Sequence, residues 1–510
     1  MEKIYDVIIV GAGPGGSSMA TFLGQHGVSA LLLDKASFPR DKVCGDGLVP
    51  QAIYWLDNLG CADEVLDQCN SCITNGDVYI NGEYVMTGAF PQDTQFPGFT
   101  TLLERRKLDN ILLQNAISHG AVFQPDCHVR KLHWHTDYIS VEAETDKKNV
   151  TYKGKLVIGA DGANSIVSRS IGNTLRDGTT ALSLRAYYEG VKIDGSQIRI
   201  YFDRRFFPGY AWVFVDDDGK ANIGLGYASD KNFPAKNHLR KVFEEFIQTD
   251  LKHILRNATP VGQAAGWWAC FFKPESMTAE RVMLIGDAAN LADPLNGAGI
   301  HTAMESAYVA SYVALQALSS QDYSVESMRR YETLWNESKE LDRRTGELIA
   351  TIAKNPHLKE FYLFFLNMVS RLTKEDANFK NFCGGIFSGV LPASRCLSPY
   401  ELLNAAPVNP EVLLKIFKSS DELTISNLLN HALSVIQSTV KMSGRVISDP
   451  LANIGWGVET MTKTAGLMEC YLKEPSLSAA RERNGLRPCI NQEYRVKNLK
   501  KGESIWQSAF

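Results

Sequence analysis

The sequence predicts an α/β protein: a doubly wound, mainly parallel sheet, interrupted by an antiparallel α+β unit and followed by a helical C-terminal extension. Three observations predict it. A strand–glycine turn–helix–strand pattern opens the chain, short alternating apolar runs fill its middle, and beyond about residue 325 the composition turns helical. At 510 residues the chain exceeds the length at which one hydrophobic core keeps growing, so two or three units are expected. Apolar residues make up 45% and charged residues 22%, the balance of a folded chain without long disordered tracts. A formal net charge of -4 gives no reason to expect a nucleic-acid partner.

Each element has its own signal. Residues 5–10, YDVIIV, are apolar and β-branched, as in a strand buried on both faces of a parallel sheet. After a glycine turn, Met19, Ala20, Phe22 and Leu23 recur at helical spacing within Ser17–Gly27, and Ala30–Leu33 reads as a second buried strand. That is a βαβ unit. From Gln124 to Gly159 the runs HVRKLHWH, YISVEAET and VTYKGKLVIGA alternate between polar turns, which predicts antiparallel strands, and a second strand-rich stretch spans Ala181–Tyr227. Helical windows cover Lys107–Ser118 and His301–Leu318, and MRRYETLWNESKELDRRTGELIATIAK begins the C-terminal helices, with proline-rich breaks near Pro392–Pro410.

Gly11-Ala-Gly13-Pro-Gly15-Gly16 fits G-x-G-x-x-G between a predicted strand and a predicted helix. The glycines permit a tight turn, close approach of backbone to a pyrophosphate, and close helix packing, while the helix N-terminus supplies positive potential. Asp34, followed by Lys35, ends the second strand 18 residues beyond Gly16, where an acid binds ribose hydroxyls. Two further strand ends place Asp beside Gly: Asp161 in GADGANS after KLVI, and Asp287 in GDAA after RVMLI. A nucleotide as long as FAD needs such extra contacts.

Ten cysteines at irregular spacing and an opening, MEKIYDVIIV, without the order of a signal peptide predict a reduced, cytoplasmic protein. Cys69 and Cys72 form one isolated C-x-x-C, expected as two packed thiols, and no metal site is expected. No window has the roughly 18 uninterrupted apolar residues that span a bilayer. The richest run, FYLFFLNMV at 361–369, flanked by Lys359 and Arg371, fits either a helix packed against the protein or one peripheral to a membrane surface.

Over residues 5–320 the chain resembles the FAD-dependent oxidoreductases of the p-hydroxybenzoate hydroxylase superfold, on GAGPGG, GADGANS and GDAANLADPLNGAGI in that order. The resemblance implies FAD as cofactor, Asp287 at its ribitol, Pro294, Gly297 and Gly299 beside the isoalloxazine, and Arg105 of ERRKLD near the pyrophosphate. It also implies a Rossmann-type FAD-binding domain built from residues 1–75, 100–180 and 275–325. An antiparallel-sheet α+β substrate domain then takes 76–99 and 181–274, with a C-terminal helical domain over 326–510. Within that superfold, RDKVCGDGL (residues 40–48) together with Pro208-Gly-Tyr210-Ala-Trp212-Val-Phe214 is similar to the geranylgeranyl reductase subfamily. Val215 stands where those reductases often have Pro, and the C-terminal region is longer. The halogenases of the superfold carry G-E-S and W-x-W-x-I-P, where this chain has Gly45-Asp46-Gly47 and Tyr210-x-Trp212-x-Phe214-Val215.

The subfamily implies reduction of carbon–carbon double bonds in a prenyl chain. An isolated alkene is not electrophilic, so it needs a proton, and aromatic faces to stabilise positive charge. Cys44 is the candidate proton donor or shaping residue, against the alternative of an ordinary buried thiol. Tyr210 and Trp212 are candidates to line an apolar tunnel, against plain strand packing, and Gly45 and Gly47 are expected to let backbone approach the flavin ring. Two other chemistries share the motifs: hydroxylation or epoxidation of a lipophilic or aromatic metabolite by a monooxygenase, and cyclisation by a protein that holds FAD only for structure. No second G-x-G-x-x-G is present, so the external electron donor is expected to be transiently docked NAD(P)H or a ferredoxin.

Overall fold

The computed structural model describes residues 3–397 and 456–470, apart from residues 93, 147, 175–179, 229–235, 272–273, 354, 356–361, 364–365, 367–368, 371–372 and 374–375. The opening βαβ unit forms as β1 (Ile4–Val10), α1 (Pro14–Gln25) and β2 (Ala30–Leu33). Val7 to Val10 and all of β2 are buried, because parallel strands covered on both faces must be apolar throughout. β1 lies between β2 and the end of strand Lys148–Gly159, parallel to both, and the sheet continues through Val122–Gln124 on one side and Val282–Leu284 on the other. α1 packs against helices Arg105–Ser118 and Ile300–Ser320.

The antiparallel strands expected from Gln124 to Gly159 are present, but they extend this first sheet. Cys127–Trp134 pairs with Ile139–Thr145, which pairs with the first half of Lys148–Gly159, whose second half turns parallel to β1. One strand thus carries both an alternating half and a continuously apolar half, matching one-sided and two-sided burial.

A second, seven-stranded sheet runs in the order Thr259–Cys270, Thr180–Glu189, Ala221–Ala228, Gly209–Val215, Ile198–Phe202, Asn75–Ile80, Glu83–Ala89. All its neighbours are antiparallel except Asn75–Ile80 and Ile198–Phe202, which are parallel because they come from distant parts of the chain. Leu184, Val213, Ile223 and Leu225 on one face bury Val242, Phe243 and Phe246 of helix Lys236–Thr249. Helices Val325–Ala353 and Ala377–Ser388 follow, the latter packed on strand Glu83–Ala89. The N-terminus of Ala377–Ser388 is capped by Asp376, which accepts from the Phe379 N–H at 2.8 Å. Most of the expected proline-rich break lies outside the described residues.

Candidate active site

A single cavity of about 1160 Å³ runs from the α1 N-terminus, past the Cys44 loop, to the face of the second sheet that helix Ala377–Ser388 covers. Ligand pockets for one drug-sized molecule occupy about 300–1,000 Å³. The space therefore suits a dinucleotide together with a second, apolar molecule.

The nucleotide end is built from the first sheet. Gly11 has φ +101°, and a Cβ there would lie 2.3 Å from the Ala160 carbonyl oxygen, while a Cβ on Gly16 would lie 1.8 Å from the Gly11 carbonyl. These two glycines are required by packing within the turn. Gly13 differs: its missing Cβ faces open cavity, the nearest atom being Arg40 Nη2 at 3.6 Å. α1 has no side-chain cap, so its first-turn amides are free for an anion. Asp34 accepts from the Ala12 N–H at 2.7 Å and the Ala36 N–H at 2.9 Å, and both Asp34 and Lys35 line the cavity. Open space at Gly13, uncapped amides, and an acid at the end of β2 together fit FAD.

Arg105 is buried and makes a two-pronged pair with Asp109, Nε at 2.7 Å and Nη2 at 2.8 Å. Burial works against its charge, but Asp109 and then the Cys44 side chain more than offset this, holding its pKa above the ordinary arginine value. Arg105 and Arg40 both line the cavity; Arg40 Nη2 is the atom nearest Gly13, and its Nη1 lies 2.9 Å from Asp109 Oδ2, the oxygen that Arg105 Nη2 also meets, with 20% of the Arg40 side chain exposed. Arg40 opens the RDKVCGDGL segment and Asp109 closes ERRKLD, but sequence reasoning singled out neither as a site residue. Their further signal is charge, Asp109 standing one helical turn after Arg105.

Asp161 spends its carboxylate on its own loop, accepting from the Ser165 hydroxyl and the Ile166 N–H, both at 2.6 Å, although it lines the cavity. Burial raises its pKa. Asp287 also lines the cavity and pairs with Lys42 at 3.3 Å. Pro294, Gly297 and Gly299 form one wall there, and the Tyr210 hydroxyl donates to the Asn296 carbonyl between them. Trp267 lines the cavity beside Lys42, and the side chain of Trp268 lies outside the described residues.

Cys44, Tyr210 and Trp212 come together. All three line the cavity, and the Tyr210 and Trp212 ring centroids are 6.2 Å apart. The Trp212 indole donates to Asn222 Oδ1 at 2.9 Å, and Asn222 Nδ2 donates to the Cys44 carbonyl and to Asp46 Oδ2, each at 2.8 Å. Asp46 sits at φ +63°, is buried, and also accepts from the Tyr187 hydroxyl at 2.5 Å. Desolvation raises its pKa from 3.8 to about 6 against those hydrogen bonds. Gly45 and Gly47 make their close approach to aromatic side chains: a Cβ on Gly45 would lie 3.2 Å from Phe214 and 3.4 Å from the Trp212 indole nitrogen. Sequence reasoning missed Asp46, Tyr187 and Asn222 because the latter two sit on strands about 140 and 176 residues away, an arrangement only the second sheet creates.

The far end of the cavity is apolar, walled by Ile80, Met86, Ile200, Phe202 and Phe207, with Phe387 of Ala377–Ser388 edge-on to both Phe202 and Tyr210. Tyr362, Leu366 and Val369 of the run at 361–369 line it, and Leu363 packs against Ile80, Val85 and Met86, while the other members of that run lie outside the described residues. Among the described residues no helix is long and apolar enough to cross a membrane, and no cluster of side chains is arranged to hold a metal. Cys69 is a packed thiol: its Sγ donates to the Val65 carbonyl, and burial pushes its pKa up to about 11.

Comparison with known proteins agrees with this layout. The family model for an FAD binding domain matches residues 4–331. The chain is 30% identical over 344 residues to a digeranylgeranylglycerophospholipid reductase of Methanocaldococcus jannaschii, covering 66% of this chain and 83% of that one. It is 29% identical over 328 residues to a menaquinone reductase of Mycobacterium tuberculosis, covering 61% and 76%. Among solved structures, a geranylgeranyl bacteriochlorophyll reductase-like protein of Thermoplasma acidophilum superposes with a TM-score of 0.63 at 24% identity, over 82% of this chain and 99% of that one.

Proposed function

Because the chain belongs to the FAD-binding-domain family of flavoproteins, with geranylgeranyl reductase-like relatives, we propose that it reduces carbon–carbon double bonds of a prenyl chain. The observation that carries this reading is the continuity of one cavity, from a dinucleotide cradle to an apolar lobe, with the Cys44 loop at the junction. The alternative is hydroxylation or epoxidation of a lipophilic or aromatic metabolite by a monooxygenase. Here the lobe offers aliphatic and aromatic walls suited to an extended isoprenoid.

When bound, FAD supplies the two-electron transfer. Gly13, the α1 amides and Arg40 would hold its pyrophosphate, Asp34 its ribose, and Asp287 with Pro294–Gly299 its ring end. Cys44 donates a proton to the alkene, Tyr210 and Trp212 present faces to the developing positive charge, and helix Ala377–Ser388 keeps water out of the lobe. Electrons arrive from NAD(P)H or a ferredoxin. We propose the domain boundaries given above: 1–75, 100–180 and 275–325 for FAD, 76–99 and 181–274 for substrate, and 326–510 for the C-terminal helical domain. Loading of a membrane-borne lipid calls for peripheral contact of a cytoplasmic protein with the bilayer.

The test is anaerobic. Purified protein with bound flavin absorbance, reduced chemically and given a geranylgeranyl lipid, should yield a product heavier by two hydrogens per reduced bond. A product that gains oxygen, formed only in air, would establish the monooxygenase reading instead.

A further inference from the structure

We propose that Asn222 is a positioning residue for alkene reduction, one side-chain amide that fixes the Cys44 loop and the Trp212 ring relative to each other. The proposal rests on the alkene-reductase reading and adds a residue to it. Cys44, Asp46 and Trp212 line the cavity and Asn222 does not, so Asn222 acts through the groups it holds.

The orientation of its amide is forced by its neighbours. An indole N–H donates and cannot accept, whereas a backbone carbonyl accepts and cannot donate, so Oδ1 must face Trp212 and Nδ2 must face Cys44. Oδ1 accepts from the Trp212 indole at 2.9 Å, and Nδ2 spends its two hydrogens on the Cys44 carbonyl and on Asp46 Oδ2, each at 2.8 Å. Asn222 is buried, and hydrogen bonds shielded from water hold more firmly.

The second sheet builds this clamp. In the strand register Asn222 lies opposite Tyr187 on one side and Phe214 on the other, and residues opposite one another on paired strands project from the same face. All three meet the loop. The Tyr187 hydroxyl donates to Asp46, Asn222 holds Cys44 and Asp46, and the Phe214 ring closes on Gly45 and Gly47, where a Cβ would lie 3.2 and 3.5 Å from it. Trp212, two residues before Phe214, lies opposite Gly224, and a Cβ on Gly224 would be 2.2 Å from the indole Cζ2. The missing side chain leaves the room in which the indole lies and reaches Asn222. Proton donor and charge-stabilising ring thus share one mount. In the reaction a proton reaches one alkene carbon while positive charge grows on its neighbour, so the two groups must keep their spacing, and misplacement by about 1 Å costs about 10²-fold.

Asn222→Asp keeps the volume and the acceptor for Trp212 but sets an oxygen against the Cys44 carbonyl and the Asp46 carboxyl, so it frees the loop alone. Asn222→Leu frees both sides. In the anaerobic assay each variant should lower kcat by about 10², with KM within about threefold of wild type and bound-flavin absorbance unchanged. In D2O the wild type should set deuterium on one face of the protonated carbon, and the variants should set it on both faces, which a general loosening of the fold would not do. Wild-type kcat in either variant overturns the proposal, and so does a lowered kcat with the label still on one face. Loss of bound flavin from both variants also overturns it, because Asn222 would then serve the fold. Unslowed Cys44→Ala instead overturns the donor reading beneath the proposal, and a product that gains oxygen overturns the alkene-reductase reading itself.

Discussion

Asp109 offers the most exacting test of how the nucleotide end is held. It is fully buried, it accepts from Arg105 on Oδ1 at 2.7 Å and on Oδ2 at 2.8 Å, and Arg40 Nη1 forms an ion pair with the same Oδ2 at 2.9 Å. Asp109→Asn preserves volume and removes only the charge. Arg105, 3% exposed, then remains in the interior without its counter-ion, and breaking a buried pair in this way costs about 3–5 kcal/mol. Arg40 loses less, because part of its side chain is solvated. The assay is urea unfolding of the FAD-free protein followed by tryptophan fluorescence. The expected result is a midpoint lowered by that amount divided by the slope. Excess FAD should recover part of the loss, since a pyrophosphate beside Arg40 restores a negative partner and binding stabilises by mass action. Replacing the whole pair by apolar groups, Arg105→Met with Asp109→Leu, should cost less than Asp109→Asn alone. A loss below about 1 kcal/mol for Asp109→Asn would refute the account, because it would mean Arg105 is solvated or paired elsewhere.

Gly13→Ala should leave thermal stability of the FAD-free protein within about 0.5 kcal/mol, since its Cβ meets open space, yet abolish the bound-flavin absorbance. Gly16→Ala should fail to fold, because its Cβ would overlap the Gly11 carbonyl, and soluble expression compares the two directly. The raised Asp46 pKa fixes a sign for stability against pH: the contribution is present below 3.8 and lost as pH rises through about 6. That shift of roughly two units is about 3 kcal/mol, so Asp46→Asn should flatten the fall in unfolding free energy over this window. Trp212→Phe keeps an aromatic face but drops the bond to Asn222, and should lower kcat more than it raises KM in the anaerobic assay.

How much of this was legible in sequence follows from the range of each interaction. The βαβ unit was legible because one contiguous stretch supplies the strand, the glycines, the helix and the acid. Arg105–Ser118 and Ile300–Ser320 were found to within one or two residues at their N-termini, where the first turn carries little apolar periodicity. Cys44, Tyr210 and Trp212 could be singled out from short local patterns, but not the Asn222 and Tyr187 side chains that bind them to Asp46. Those come from neighbouring strands, and strand order in a seven-stranded sheet is not written in any local pattern. Asp161 shows the converse. Its position beside glycine at a strand end suggested a ligand contact; it lines the cavity, but its carboxylate also accepts from the Ser165 hydroxyl and from the Ile166 N–H that opens the short helix Ile166–Ser170, which Ser165 caps.

The same reasoning explains why helices Val325–Ala353 and Ala377–Ser388 border the cavity. The second sheet buries one face against helix Lys236–Thr249, and left alone its other face would expose Ile80, Ile200, Phe202 and Tyr210 as one apolar patch of the kind folded proteins avoid. Helix Ala377–Ser388 covers that face without filling it, because Phe387 meets Phe202 and Tyr210 edge-on and small residues, Gly384 among them, line the gap. The covered gap is the apolar lobe. Phe387→Ala should therefore enlarge the lobe at its covered end, and the anaerobic assay should show a relative gain for longer prenyl chains, with flavin absorbance unchanged. An equal loss for every chain length would place Phe387 in the support of the fold, away from the substrate.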